Sequence, residues 1–238
     1  MKSFLRGAAV ALVASIVIAS GAYALPDPSM SFDENSPQTL LAATGQLQQV
    51  RGVGSTYYFR PVDLESGRFL GPPIPVRFAF ANWRQGDELR EVGRARDKER
   101  VLFAVKTFEP GAYALIGQDE QSNGTAHEFA SVCYAEHAPV YLLSAGQIAI
   151  VDAYRGSLMS YNANVPRQVQ QDRIISDFER LRADYPNIHG AAVRVEPSAI
   201  IQWPMGAPGF VERLTSDLST RCRQTDTFTV VAQDSDVH

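Results

Sequence analysis

The residues best suited to chemistry lie in one short stretch near the middle of the chain. Two histidines, two glutamates and a cysteine fall within eleven positions: His127, Glu128, Cys133, Glu136 and His137. Imidazole, thiolate and carboxylate groups bind zinc or copper, and His127, Glu128 and His137 form the candidate ligand set. A strand over 128–134 would hold the two imidazoles roughly 30 Å apart, at about 3.3 Å per residue. A metal site here therefore requires the chain to fold back.

Cys133 and Cys222 are the only cysteines. Because two thiols in an exported chain meet an oxidising environment, we predict a disulfide between them. Closing a loop of roughly 90 residues would stabilise the fold by about 4 kcal/mol in the chain-entropy description. The alternative is that Cys133 lies in a strand core while Cys222 ends a surface helix too far away.

No catalytic motif is assembled in the sequence. A Gly-x-Ser-x-Gly elbow does not occur, and residues 127–131 have Ser131 where a zinc protease helix carries its second histidine. Residues 52–55 lack the lysine of a phosphate-binding loop. We therefore expect no cofactor and favour a non-catalytic role. Two alternatives stay open: a hydrolase whose catalytic residues meet only after folding, and a metal-binding periplasmic protein.

Residues 200–206 combine an apolar strand end with a loop containing proline and glycine. Trp203 and Met205 could present an aromatic ring and a thioether to a partner, although packing of Trp203 in the core is the favoured alternative. The partner would be an unknown envelope protein or a small ligand. The chain has 22 basic and 26 acidic residues, a formal net charge of −4. This balance argues against nucleic acid as a partner.

The first 24 residues have the pattern of a secretory signal. Lys2 and Arg6 precede an uncharged run over 7–21, and Ala22 and Ala24 supply small residues before the predicted cleavage. We predict a periplasmic or secreted protein with no membrane span after signal cleavage, because no second apolar segment is long enough. The alternative is an uncleaved N-terminal anchor in the inner membrane.

Alternating apolar residues and frequent turn formers over 56–154 predict a chain that is mainly β with flanking helices, of the α+β class. We expect an antiparallel β-sandwich of about seven to nine strands, with hairpins over 57–70 and 140–154. Apolar residues at helical spacing predict a helix near 171–184. A second candidate helix lies near 208–220.

The predicted organisation has one folded domain with additions at both ends. Residues 1–24 are the signal peptide, and residues 25–47, which contain three prolines, are interpreted as a flexible linker or arm. Residues 48–232 form the single domain with its helical additions. Residues 233–238 form a flexible tail.

Two strand motifs resemble those of a known group of proteins. Residues 110–115 follow the pattern PGxYxL, and residues 146–153 are similar to GxIxxxGD, with Asp152 and Ala153 where the pattern has Gly and Asp. The order of these motifs is similar to that of uncharacterised bacterial cell-envelope β-sandwich proteins. The resemblance implies an exported β-sandwich and carries no catalytic residues.

Overall fold

A computed structural model describes residues 30–45, 53–78, 102–122, 129–153, 167–183, 185–204, 222 and 226–231. These residues form twelve strands and one helix: β1 (Thr39–Gly45), β2 (Val53–Asp63), β3 (Arg68–Phe69), β4 (Ile74–Phe78), β5 (Leu102–Phe108), β6 (Gly111–Ser122), β7 (Phe129–Cys133), β8 (Ala138–Leu143), β9 (Ile148–Val151), α1 (Arg167–Arg182), β10 (Ala192–Arg194), β11 (Ala199–Gln202) and β12 (Thr229–Val231). The prediction of a mainly β chain with a flanking helix is confirmed. The predicted signal, second helix and tail lie outside the described residues.

The small sheet has the strand order β10-β9-β1-β5. β1 is antiparallel to β5, whereas β9 is parallel to both β1 and β10. The hairpin predicted over 140–154 is therefore wrong, because β8 belongs to the other sheet. Its turn signal marks a crossover between sheets, where Gly146 has a φ of +68° and a Cβ at this position would lie 2.0 Å from the carbonyl oxygen of Glu34.

Residues 30–45 are part of the folded body, so the interpretation of 25–47 as a linker or arm is wrong for this part. Leu40, Leu41, Ala42 and Ala43 are fully buried, and β1 lies between β5 and β9. Upstream, Phe32 is buried and its backbone N–H donates to Asn187 O at 3.0 Å. The prolines made this segment look unstructured, but the apolar run after Pro37 is typical of a central strand.

Helix α1 covers one face of the small sheet. Its buried positions Ile174, Phe178 and Leu181 recur at intervals of three and four residues, as the sequence predicts for the helix near 171–184. The Phe178 ring meets that of Phe103 edge to face, with centroids 5.4 Å apart. The helix begins somewhat earlier than predicted, and the apolar stripe is confirmed.

The large sheet contains eight strands, with the main order β12-β11-β8-β6-β2-β3 and with β4 and β7 paired to β2 and β6. β2 and β6 form its long central ladder, which a bulge interrupts next to Tyr58 and Phe59. The other face of the small sheet shares a buried cluster with this sheet, including Leu41, Phe59 and Leu115. The finer expectation of a sandwich stays a prediction.

The large sheet curls until its two ends meet. Residues 226–231 pair with β11 through β12 on one side. On the other side they pair with β3, where Phe69 N–H donates to Asp226 O at 3.1 Å and Phe228 N–H donates to Gly67 O at 2.8 Å. We call this closed arrangement of β2, β3, β6, β8, β11 and residues 226–231 the ring. All six members contribute buried side chains to one cluster.

Candidate functional site

The predicted disulfide between Cys133 and Cys222 is confirmed. The two sulfurs are bonded, with the Cα atoms 5.4 Å apart and 89 positions between them in sequence. Cys133 ends β7 and is partly exposed, whereas Cys222 is 1% exposed and its Sγ lies 3.6 Å from Ile116 O. The bond therefore attaches the C-terminal part of the chain to the centre of the large sheet, four residues before the ring closes.

Trp203 is buried in the ring cluster, so the favoured alternative of core packing is confirmed. It is 4% exposed, and its ring meets that of Phe69 with centroids 5.3 Å apart. The Phe69 ring also contacts that of Phe228, with centroids 5.1 Å apart. The three aromatic rings therefore connect β3, the residue after β11 and the segment 226–231. The partner-facing interpretation of Trp203 is wrong because its indole completes this core. Met205 lies outside the described residues.

Arg60 links the ring electrostatically. Its guanidinium lies 4.5 Å from the centre of the Phe69 ring, and its Nε donates to Gly71 O at 2.9 Å. Burial lowers the pKa of Arg60, and the nearby carboxylate of Asp226 opposes this effect. The cation therefore lies next to β3 and to residue Asp226 of the segment 226–231.

The candidate metal ligands are not brought together within the described part of the chain. His137 is exposed in the turn after β7, and its backbone N–H donates to Tyr134 O at 2.9 Å. Cys133 is engaged in the disulfide, while His127 and Glu128 lie outside the described residues. Among the residues that the structure describes, no group of three or more histidine, cysteine, aspartate or glutamate side chains is placed to hold a metal ion.

A recess of about 350 Å³ opens at the C-terminal end of α1. It is lined by Glu179, Arg182, Ala183, Tyr185, Pro186, Ile188, His189 and Gly190. Arg182 donates to the Glu179 carboxylate and to Gly190 O, which fixes one wall. His189 is exposed, and its backbone N–H donates to Phe32 O at 2.7 Å. The recess thus contains an imidazole and a carboxylate that is paired with Arg182, and the sequence did not indicate it because its lining comes from the helix end and the following turn.

Polar side chains also gather where the parallel strands of the small sheet end. Buried Thr44 donates from Oγ1 to Asp152 Oδ1 at 2.9 Å, and Arg194 Nε lies 3.0 Å from Glu196 Oε1. Asp152 is one of the positions that depart from the GxIxxxGD pattern, so that departure holds β1 to the end of β9. We assign this group a structural role.

No family model, curated protein or solved structure matches the chain. The resemblance to cell-envelope β-sandwich proteins therefore stays a prediction. Within the described residues, the helix is too short and polar to cross a bilayer.

Proposed function

We propose that this chain is an exported, non-catalytic binding component of a bacterial cell envelope, located in the periplasm or secreted. The single observation that supports export is the Cys133–Cys222 disulfide, because such bonds form and persist in oxidising compartments. The pattern of residues 1–24, which is that of a secretory signal, indicates how the chain would be exported.

The recess at the end of α1 supports the binding part of the proposal. Its lining includes buried Tyr185 and Ile188 as well as exposed His189. Pockets of a few hundred Å³ with a few polar groups suit small molecules. Because Arg182 is already paired with Glu179, the recess fits a small polar ligand better than a strongly anionic one.

Export is tested by expressing the full chain and a variant without residues 2–24 in a bacterial host. We expect the full chain in the periplasmic fraction or the medium, with a mass that starts at Leu25 and with both thiols blocked against maleimide labelling. The shortened variant should stay in the cytosol with two labelled thiols. A full chain that stays in the cytosol with free thiols would contradict export.

Ligand binding is tested by mass spectrometry of small molecules released when the natively purified protein is denatured. We expect His189→Ala to lose the released molecule and His137→Ala, which changes an exposed histidine in another turn, to retain it. Retention by both variants, or release of nothing from the wild type, would contradict binding in the recess.

A further inference from the structure

The segment 226–231 is the only described part of the chain that joins the two ends of the large sheet. It contacts β3 through the Phe69 and Phe228 amides and β11 through the three residue pairs of β12. Four of its residues, Asp226, Thr227, Thr229 and Val230, are exposed. Phe228, at 8% exposure, is its principal buried side chain.

These contacts are too few to hold the segment by themselves. One buried phenylalanine and a few hydrogen bonds stabilise the segment only modestly. Fixing the backbone of six residues opposes this stabilisation through lost conformational entropy. The favourable and unfavourable contributions are therefore close to balance. A covalent attachment that keeps the segment next to its site decides the outcome, since it raises the effective concentration.

Cys222 provides that attachment, since it is bonded to Cys133 four residues before Asp226. It is itself buried in the ring cluster, together with Ile116, Trp203 and Phe228. By contrast, β1 and β9 of the small sheet lie between strands on both sides and do not depend on this bond.

We propose that the Cys133–Cys222 disulfide is a redox latch, which keeps residues 226–231 in the ring and releases them when it is reduced. Release would free the edges of β3 and β11 and would expose Phe69 and Trp203. The proposal goes beyond the proposed function, because it concerns a conformational change that does not depend on where the protein is located or on what occupies the recess.

The reductant is a dithiol. One thiolate attacks Sγ of Cys133, the less buried of the two cysteines, forms a mixed disulfide and displaces the Cys222 thiolate, which takes up a proton. The second thiolate of the reductant then closes its own disulfide and releases the Cys133 thiolate, which is also protonated. Two electrons and two protons thus pass to the protein, and the dithiol is oxidised.

The test is amide hydrogen exchange of the wild-type protein, oxidised and after treatment with dithiothreitol. We expect exchange at the Phe69 and Phe228 amides to accelerate at least tenfold on reduction. The Leu40 and Val195 amides, which donate to Gln147 O and Ile150 O in the small sheet, should change less than twofold. Equal protection in both redox states, or an equal loss at all four amides, would overturn the latch.

Two variants complete the test. The double variant Cys133→Ser with Cys222→Ser should reproduce the reduced pattern without any reductant. Phe228→Ala in the oxidised protein should accelerate exchange at Phe69 while the disulfide stays intact, because the buried anchor of the segment is lost. If Phe228→Ala leaves Phe69 fully protected, the segment is not held in the way that we propose.

Discussion

The helix-covered face of the small sheet and the ring of the large sheet both bury aromatic clusters, but different interactions hold them. On the small sheet, a helix of 16 residues packs Ile174, Phe178 and Leu181 against the strands. In the ring, a short terminal segment with one buried aromatic side chain joins two sheet edges. The broad apolar contact of α1 is sufficient to keep the helix on the small sheet. The narrow contact of residues 226–231 is supported by a disulfide close by in the sequence.

Removing one aromatic anchor from each region tests most directly whether the two regions are held differently. Phe178→Ala should lower the free energy of unfolding by about 3–5 kcal/mol, because it empties a fully buried site beside Phe103. The loss should be the same in oxidised and reduced protein, as measured by denaturant unfolding. Phe228→Ala should cost about 3 kcal/mol in the oxidised protein and less than about 1 kcal/mol after reduction, when its segment is already released. Equal costs for Phe228→Ala in both states would contradict the difference between the regions.

The crossover between the sheets is tested at Gly146. An alanine there must adopt a positive φ and place its Cβ against the Glu34 carbonyl, so we expect a loss of about 2–5 kcal/mol in thermal unfolding. Gly71→Ala is the matched control. Its φ is +66°, but the nearest atom to the added Cβ is 3.8 Å away, and only the backbone cost of about 1–2 kcal/mol applies. Similar losses at both glycines would show that the close approach to Glu34 is unimportant.

A smaller loss of stability is expected at the hydrogen bond between Thr44 and Asp152, where the parallel strands end. Thr44→Val keeps the shape of a buried side chain and removes its hydrogen bond to Asp152, so we expect a loss of about 1–2 kcal/mol in denaturant unfolding. Thr107→Val on β5 changes an exposed threonine and should stay within about 0.5 kcal/mol of the wild type. A neutral Thr44→Val would remove the structural role that we assign to this group.

The smallest effect concerns the hairpin at one end of the ring. The Ser66 hydroxyl, then the backbone amides of Ser66 and Glu65, donate to Asp63 and lower its pKa. The stabilisation is therefore present above the pKa of Asp63 in the unfolded chain and is lost as the pH falls through the lower folded value. An NMR titration should show that Ser66→Ala raises the pKa of Asp63, whereas Glu65→Gln keeps it low. No upward shift in Ser66→Ala would contradict this assignment.

The predictions that succeeded rest on local patterns. The β2–β3 hairpin follows from alternating residues around Gly67, which has a φ of +63°, and the apolar stripe of α1 follows from helical spacing. The disulfide was predictable because the chain has only two cysteines.

The predictions that failed concern pairing between distant parts of the chain. The turn at Ala145 and Gly146 has the chemistry of a hairpin, but nothing in its sequence states that β9 joins the other sheet. β12 has three residues, and its pairing with β11 has no local signature. The possible partner-facing role of Trp203 failed for the same reason, since its contact with Phe69 lies more than a hundred positions away in sequence, although core packing was the favoured alternative.

The position of β1 constrains the order in which the chain acquires its shape. This strand comes early, yet its neighbours are residues 102–108 and 148–151, so it cannot be paired on both sides until more than half of the polypeptide has been synthesised. Until then, its apolar residues 40–43 are exposed and can form non-native contacts or aggregate. A chaperone that binds the nascent chain would therefore act on β1, well before Cys133 and Cys222 form their disulfide.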